Sequence, residues 1–379
     1  MSGSTYRRTR ADGSPGRWHA VIDLPPGTNG KRRQKTTTHD TKHEAQAWLS
    51  KMHQEARTGD LPDDKITVAT FLTTWLDGKK GLRPSTLVDY HRHIEQLFVP
   101  ELGHLKLIDL RPRHIDEVLT RYQLAAETRG RPVTVKTSRR ILATLHSALE
   151  AAVRQGLLRR NPASMVELPR PTRYHPKVWT KDQAELFLRV TEDDPLGLVF
   201  RLLLITGMRR GEVIALQWGD LDLTERSIHI RRAITLVDGE LIVGPPKSEA
   251  GDRTVFLDAT TTDKIQRLQR RAVLEHPWDS GIELDDTFVF SIRSGPLHPA
   301  HLSRRFTTLC KQAGVPVIRL HSVRHTSASL ALAAGEPLLQ VSRRLGHSSI
   351  AITADTYSQV TPEAAKSAAT TLSDAIIGT

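Results

Sequence analysis

Hydrophobic and polar positions alternate near the start of the chain and then take up a helical period. Residues 17–25, RWHAVIDLP, alternate like a half-buried strand. Residues 25–38 combine Pro-Gly and Asn-Gly turn signals with a second, basic strand. Between 41 and 59 the apolar residues recur at three- and four-residue steps, and Thr41 with Glu44 fits a capping box. This opening segment predicts a small sheet backed by one helix.

The middle of the chain carries only helical patterns, after a linker-like stretch at 61–65. The predicted helices are 68–76, 85–102, 111–125 and 134–156. Ser85 is predicted to cap the second of them. An apolar stripe repeats every four residues along the fourth, at Ile141, Leu145, Leu149 and Val153. These patterns predict an all-helical domain.

From about residue 177 helical and strand patterns are mixed. The predicted elements, in order, are a helix at 180–190 capped by Thr180, two buried helical segments within 197–222, a β-rich stretch at 227–258 with an Asp-Gly hairpin at 238–239, helices from about 261, and a last helix at 361–377. The predicted fold class is therefore multidomain: a small β-sheet plus helix, then an all-α domain, then a mixed α+β domain.

Length and composition narrow the class of protein. A chain of 379 residues exceeds one ordinary core, so two or three domains are expected. No run of about 18 apolar residues exists to span a membrane, and the first residues lack the apolar region of a secretory signal. Cys310 is the only cysteine, which excludes an internal disulfide framework and a Cys-cluster metal site. A cytoplasmic protein is expected.

The charge balance points to a polyanionic partner. Lys and Arg total 54 against 42 Asp and Glu, which gives a net charge of +12. Residues 1–60 hold 11 Lys and Arg against 6 acids, and residues 128–175 hold 10 against 2. Residues 157–176 contain four prolines and no clear period. We expect this extended connection to cross a phosphate backbone.

Tyr357, one of only five tyrosines, closes a series of polar motifs in the second half of the chain. In chain order the motifs are TGMRRGE with Arg209, PPKSEAGDRTV with Lys247, HSVRHT with His321 and Arg324, and LGHSSIAITADTYSQV with His347 and Tyr357. Each residue alone has a structural explanation. Arg209 could pair with Glu212, His321 could be a core histidine, and Tyr357 could fill space.

Together, these residue types fit chemistry at a phosphodiester. Two guanidiniums can clamp the non-bridging oxygens and stabilise the charge of the transition state. A lysine can protonate the leaving 5′ oxygen, and imidazoles can donate to the phosphate or accept the tyrosyl proton. The phenol, with an ordinary pKa of about 10, needs nearby cations or a base to act as nucleophile. The sequence shows no acidic pair, metal cluster or Gly-rich nucleotide loop, so no cofactor is predicted.

These motifs resemble those of the tyrosine recombinases of the phage-integrase family. The resemblance implies an arm-type DNA-binding domain at 1–60, similar to that of lambda-like integrases, and a helical core-type DNA-binding domain at 66–165. It further implies a catalytic tyrosine recombinase domain at 177–379, closed by a C-terminal helix.

The resemblance also assigns roles to the six motif residues. Arg209 and Arg324 would bind the scissile phosphate, Lys247 would be the general acid, His321 a base or phosphate contact, His347 a phosphate hydrogen-bond donor, and Tyr357 the nucleophile. Glu212 would orient the first arginine or its helix.

For three of these assignments, a nearby residue with a similar side chain could take the same role. The TGxR register selects Arg209 over Arg210, and the His-x-x-Arg spacing selects His321 over His325. Whether Lys247 or a neighbour such as Arg253 is the general acid is left open.

The implied function is that of a site-specific integrase, which cuts and rejoins DNA through a 3′-phosphotyrosyl intermediate to integrate and excise a mobile element. The expected partners are double-stranded DNA at core and arm sites, a homotetramer whose last helices pack on neighbouring protomers, a recombination directionality factor and a host DNA-bending protein. No membrane partner is expected. The expected location of the protein is the bacterial cytoplasm, in association with the nucleoid. A chromosome-dimer resolvase is disfavoured by the first 60 residues, and a non-catalytic DNA-binding regulator by the intact set of six residues.

Overall fold

The computed structural model describes residues 2–9, 13–24, 33–57, 65–171, 176–275, 281, 283–292 and 295–357. Contacts divide the chain into two compact units, Met1–Thr172 and Arg173–Thr379. Each unit has a hydrophobic core of its own. The finer division into domains at 1–60, 66–165 and 177–379 stays a prediction. Among the described helices, none is long and apolar enough to cross a membrane.

An antiparallel three-stranded sheet opens the first unit. It consists of β1 (Gly3–Thr9), β2 (Pro15–Leu24) and β3 (Arg33–His39), with β2 in the centre. Helix α1 (Lys42–Arg57) packs against this sheet, where Ala20 and Ile22 are fully buried. Both predicted strands and the predicted helix are confirmed.

The capping box of α1 is formed as predicted, whereas strand β1 was missed by the sequence patterns. Thr41 Oγ1 accepts from the backbone N–H of Glu44 at 3.2 Å, and the Thr41 N–H donates to the Glu44 carboxylate at 3.3 Å. Strand β1 has the sequence GSTYRRT and is mostly exposed at the sheet edge. Without an apolar alternation, such an edge strand gives no periodic signal.

Helices complete the first unit. They are α2 (Val68–Asp77), α3 (Pro84–His93), α4 (Val99–Leu102), α5 (Pro112–Thr128) and α6 (Val135–Arg154), with a π-helical turn at Ile94–Phe98 joining α3 to α4. The predicted stripe of α6 lies in the core, where Ile141, Leu145 and Leu149 are buried. The predicted cap at Ser85 is wrong. Helix α3 follows Arg83, because Pro84 fits the first helical position, where no N–H is needed.

The basic end of α6 is tied to the connection that follows it. Arg139 donates to the carbonyl of Leu168 at 3.0 Å and to that of Pro169 at 3.1 Å. Arg140 pairs with Asp89 of α3 at 3.2 Å. Residues 166–171 form neither helix nor strand, whereas Pro162–Met165, earlier in the connection predicted at 157–176, form a short 3-10 turn.

The second unit combines helices with small sheets. Its helices are α7 (Lys181–Val190), α8 (Gly197–Thr206), α9 (Arg210–Val213), α10 (Ala259–Glu275), α11 (Pro299–Gln312), α12 (Leu320–Ala333), α13 (Leu338–Leu345) and α14 (Ile350–Tyr357). Its strands are β4 (Leu221–Asp222), β5 (Ser227–Ile230), β6 (Ala233–Val237), β7 (Glu240–Gly244), β8 (Arg253–Phe256), β9 (Ser291–Ile292) and β10 (Gly295–Pro296). Strands β4, β5 and β8 form one antiparallel sheet, while β6–β7 and β9–β10 form two-stranded ones.

Local predictions in this unit have mixed outcomes. The Asp-Gly hairpin is confirmed, since Asp238 and Gly239 join β6 to β7 with φ angles of 48° and 89°. Thr180 caps α7 as predicted, accepting from the N–H of Gln183. The second helical segment within 197–222 is shorter than expected, since α9 has only four residues. The predicted helix at 361–377 lies outside the described residues.

An aromatic cluster anchors the core of the second unit. Trp179, Phe187, Phe200 and Phe306 are all nearly fully buried, and their ring centroids lie 4.8 to 5.8 Å apart. The indole N–H of Trp179 donates to the carbonyl of Pro316 at 2.8 Å, so its polar atom is satisfied within the core. The cluster holds α7, α8 and α11 together.

Replacing a core residue of α6 should destabilise the first unit. We expect Leu145→Ala to lower the free energy of unfolding by about 2–5 kcal/mol, because it leaves a cavity among α2–α6. Urea unfolding of the full chain, followed by circular dichroism, measures the change. Leu124→Ala, on the exposed face of α5, is the matched control and should change it by less than about 0.5 kcal/mol. Equal midpoints for the two variants would contradict the assigned core.

Candidate active site

Two helix C-termini meet at the centre of the second unit. Helix α8 ends at Gly207 and α13 ends at Gly346, with φ angles of 66° and 67° that disfavour any side chain. A Cβ on Gly207 would lie 2.5 Å from Leu345, so the two ends are in direct contact. Because Arg209 and His347 follow these glycines within two residues, the contact brings two of the predicted site residues to one place.

Arg324 bridges the two helix ends. It lies in the second turn of α12 and is buried, with 4% of its surface exposed. Its guanidinium donates to the carbonyl of Gly207 at 2.8 Å and to that of Leu345 at 2.5 Å. Carbonyls at helix C-termini lack intrahelical partners and carry partial negative charge. They therefore fix the position of a cation that would otherwise be costly to bury.

Arg209 joins the same cluster from the N-terminus of α9. Its Nη2 donates to the carbonyl of Gly346 at 3.1 Å, and its Nη1 donates to Glu212 at 2.6 Å. Arg210 turns instead toward α11 and donates to Ser303 at 3.0 Å. Of the two neighbouring arginines, Arg209 is thus the one that reaches the helix ends beside Arg324.

A buried carboxylate connects three parts of the site. Glu212, 1% exposed, accepts from Arg209 and, at 2.9 Å, from Arg253. Arg253 also donates to the carbonyl of Arg344 at 2.6 Å and to that of Gly251 at 3.0 Å. Burial by itself raises the pKa of Glu212, but the charges of Arg253 and Arg209 outweigh it, so the pKa lies below its ordinary value. Glu212 is therefore ionised.

The sequence indicated Arg253 only as a neighbour of Lys247. It did not predict that the Arg253 side chain connects Glu212 to the carbonyls of Arg344 and Gly251. Its side chain is 7% exposed. In strand β8 it stands two residues before the buried Val255, on the same face. That alternation is the signal that would have indicated an inward-pointing arginine.

Two histidines of α12 flank the arginines. The rings of His321 and His325 lie 5.3 Å apart at a right angle, with His321 the more exposed. The pKa of His321 is lowered by partial burial of the ring and by the charges of Arg324, Arg209 and Arg210. The pKa of His325 is lowered to about 4, by burial and by the neighbouring His321 and Arg324.

His347 lies in the turn after α13, half-buried. The backbone N–H of His347 caps the C-terminus of α13 by donating to the carbonyl of Ser342 at 3.2 Å. The Nδ1 atom lies 2.7 Å from the hydroxyl of Thr353 in α14. Burial, followed by the charges of Arg324 and Arg209, lowers the pKa of His347 to about 4. The ring is thus neutral at pH 7 and offers one donor and one acceptor nitrogen.

Lys247 and Tyr357 lie at the margins of this cluster. Lys247 is exposed, in the segment between β7 and a 3-10 turn at Glu249–Gly251. That turn approaches the histidine, because a Cβ on Gly346 would lie 2.5 Å from the carbonyl oxygen of Ala250. Tyr357 is the last residue of α14, ten positions after His347, and its side chain is outside the described part of the structure.

The cluster is rich in cations, and its acceptors are mainly backbone carbonyls. Such an arrangement can bind and polarise an anion at the ends of α8 and α13. Within the described residues, no group of three or more His, Cys, Asp or Glu side chains could hold a metal ion.

Comparisons with known proteins agree with this architecture. Residues 177–364 match the model of the phage integrase family, and residues 67–122 match that of the phage integrase N-terminal SAM-like domain. The ICEBs1 integrase of Bacillus subtilis (strain 168) is 26% identical over 365 residues, which cover 93% of this chain and 95% of that protein.

Two solved structures are similar in fold. A structure of the Tn1549 transposon integrase in complex with a circular intermediate DNA gives a TM-score of 0.67 at 20% identity, over 81% of this chain and 100% of that one. A lambda integrase tetramer bound to a Holliday junction gives 0.54 at 18% identity, over 93% and 94%.

The fold is that of a multidomain tyrosine recombinase with an N-terminal SAM-like domain. The chain belongs to the phage integrase family. It is a site-specific recombinase of a mobile element and catalyses the cleavage and rejoining of DNA. The predicted family, function and enzyme class are thereby confirmed.

The lowered histidine pKa values make stability depend on pH. The folded protein holds the pKa of His325 and of His347 near 4, below their ordinary 6.5, so the unfolded chain binds more protons between these values. We expect the free energy of unfolding to be greatest above pH 6.5 and to fall as the pH drops toward 4. Each histidine should contribute on the order of 1 kcal/mol, because solvent partly screens the rings.

Thermal unfolding between pH 7.5 and pH 4.5 measures this dependence. His325→Gln and His347→Gln should each flatten the curve relative to the wild type. His104→Gln, at an exposed position of the first unit, is the control and should leave the slope unchanged. A wild-type slope in both the His325→Gln and the His347→Gln variants would refute the lowered pKa values.

Proposed function

We propose that the arginine cluster binds the scissile phosphate and that Tyr357 attacks it. The phenol oxygen forms a bond to phosphorus while the bond to the 5′ oxygen breaks, which leaves a 3′-phosphotyrosyl linkage and a 5′-hydroxyl. A 5′-hydroxyl of the partner strand then attacks the linkage and releases the tyrosine. One phosphodiester replaces another, so the exchange needs no external energy source.

The observation that carries this proposal is the convergence of Arg209 and Arg324 on the ends of α8 and α13. Both guanidiniums are oriented by hydrogen bonds to backbone carbonyls and, for Arg209, to Glu212. Preorganised donors stabilise a transition state without rearranging when its charge develops. Arg209 keeps 27% of its side chain exposed, which leaves it accessible from solvent.

The proton transfers are assigned to the remaining residues. His321, exposed beside both arginines and with a lowered pKa, suits a base that accepts the phenolic proton or contacts the phosphate. His347, neutral at pH 7, suits a hydrogen-bond donor to the phosphate. Lys247 is the general acid that protonates the 5′ oxygen. Lys247 is exposed and its segment adjoins the His347 turn, so its side chain can approach bound DNA.

The wider assembly is proposed on the family's pattern. The small sheet with α1 is the arm-type DNA-binding domain, and the helices α2–α6 are the core-type domain. Four protomers act on paired sites, in keeping with the tetramer that lambda integrase forms on a Holliday junction. A recombination directionality factor and a host DNA-bending protein set the direction of the reaction.

A covalent trapping experiment tests the nucleophile. The purified protein is offered plasmid DNA that carries the sequence flanking its own gene, and protein that stays on the DNA after detergent is measured. We expect a covalent complex with the wild type and none with Tyr357→Phe, because the phenylalanine lacks the attacking oxygen. Tyr122→Phe, in α5, is the matched control and should trap like the wild type.

Other results have definite meanings. A covalent bond that survives Tyr357→Phe would refute this nucleophile. No bond with either protein, together with salt-sensitive DNA binding by both, would favour a non-catalytic DNA-binding regulator.

Substituting the cluster arginines tests the phosphate site. We expect Arg209→Lys and Arg324→Lys to slow covalent-complex formation by about 10²–10³-fold, because lysine cannot span two acceptors in the same geometry. Arg210→Lys is the matched control, since Arg210 contacts α11 instead, and should stay within about threefold of the wild type. Rates are measured in single turnover with protein in excess. The assignment fails if Arg210→Lys is as slow as Arg209→Lys.

A further inference from the structure

A buried threonine contacts the proposed phosphate-binding histidine. Thr353 lies in α14 with no exposed surface, and its hydroxyl lies 2.7 Å from Nδ1 of His347. The hydroxyl and the imidazole are both able to donate and to accept. The direction of this one hydrogen bond therefore decides which ring nitrogen of His347 carries the proton.

Three other buried helix threonines of this unit use their hydroxyls differently, while a fourth, Thr261, donates to the carboxylate of Asp258. Thr206, Thr262 and Thr326 each donate to the backbone carbonyl four residues earlier. Thr353 differs from these three, because its hydroxyl bonds to the side chain of His347. A buried O–H group that gives no bond to its own helix needs another acceptor. Within the described residues, the partner that the structure gives this hydroxyl is Nδ1 of His347.

If the hydroxyl donates to Nδ1, the proton of the neutral ring must sit on Nε2. This is the tautomer that can donate a hydrogen bond to a phosphate oxygen. The opposite tautomer would present a lone pair to an anion. Arg324 and Arg209 donate to the carbonyls of Leu345 and Gly346, the two residues before His347, so a phosphate bound by these arginines would lie near this histidine.

Thr353 also belongs to the helix that carries the proposed nucleophile. It stands one turn before Tyr357, the last residue of α14. The bond to His347 therefore ties this helix to the turn that follows α13. A single hydroxyl is placed to orient the imidazole and to anchor the helix of the tyrosine.

We propose that Thr353 is a positioning residue, which holds His347 with its proton on Nε2 and fixes α14 to the same point. The proposal rests on the phosphate-donor role of His347 in the proposed function. It assigns no direct contact between Thr353 and DNA.

Three variants separate the hydroxyl from the rest of the side chain. Thr353→Val keeps the shape and removes the hydroxyl, while Thr353→Ser keeps the hydroxyl. Thr262→Val is the matched control, because it removes a buried helix hydroxyl that bonds within its own helix. We expect Thr353→Val to slow single-turnover covalent-complex formation by about 10–100-fold with DNA affinity unchanged. Thr353→Ser and Thr262→Val should stay within about threefold of the wild type.

A spectroscopic measurement reads the tautomer directly. The full-length protein is labelled with ¹⁵N-histidine, and the His347 signals are assigned by their loss in His347→Gln. At pH 7.5 we expect Nε2 protonated and Nδ1 unprotonated in the wild type and in Thr353→Ser, and a mixture of tautomers in Thr353→Val. A wild-type His347 with its proton on Nδ1 would overturn the proposal, whatever the stability of the variants. Wild-type cleavage by Thr353→Val, or equal loss in Thr353→Ser, would also overturn it.

The outcomes distinguish this inference from the proposed function. If His347→Gln cleaves at the wild-type rate while the tautomer is as expected, the phosphate-donor role of His347 fails, and with it the catalytic purpose of Thr353. If His347→Gln loses activity while Thr353→Val keeps both rate and tautomer, the inference about Thr353 fails alone.

Discussion

The site depends on one buried carboxylate. Glu212 sits between Arg209 and Arg253, and these two arginines extend to the turn after α13, to the segment after β7 and to the start of α9. An isolated buried carboxylate would be strongly destabilising, as would two guanidiniums brought together without a counter-ion. Each group therefore requires the others. Chain segments more than a hundred residues apart in sequence are held at one place by this requirement.

Backbone carbonyls complete the arrangement. Arg324 donates to carbonyls at the C-terminal ends of α8 and α13. Arg344 donates to the carbonyl of Ile205 at 2.7 Å and pairs with Glu336. Carbonyls left over at helix ends normally bind water or capping groups. Here they orient guanidiniums, so the groups that stabilise the helix ends also prepare an anion site. Stability of the fold and, under the proposed function, binding of the scissile phosphate have the same origin in this unit.

The sequence predicted most of this architecture but not its interior contacts. Periodicity located α1 and the helices of the middle segment, and the Asp-Gly dipeptide located the hairpin at 238–239, because those signals are local. It missed β1, whose residues are polar and lie at an edge. The motif spacing predicted Arg209 and Arg324, which meet at the helix ends. It did not predict the hydrogen bonds of Arg253 to Glu212 and Arg344, or the contact of Thr353 with His347. Both depend on residues that only tertiary folding brings together.

The use of main-chain oxygens as partners affects which side chains can be replaced. The acceptors at Ile205, Gly207, Leu345 and Gly346 belong to the peptide backbone, so side-chain replacements nearby do not remove them, provided that the helices still end there. The network therefore constrains a few arginines, one glutamate and two glycines, whereas other nearby side chains can be replaced without removing an acceptor.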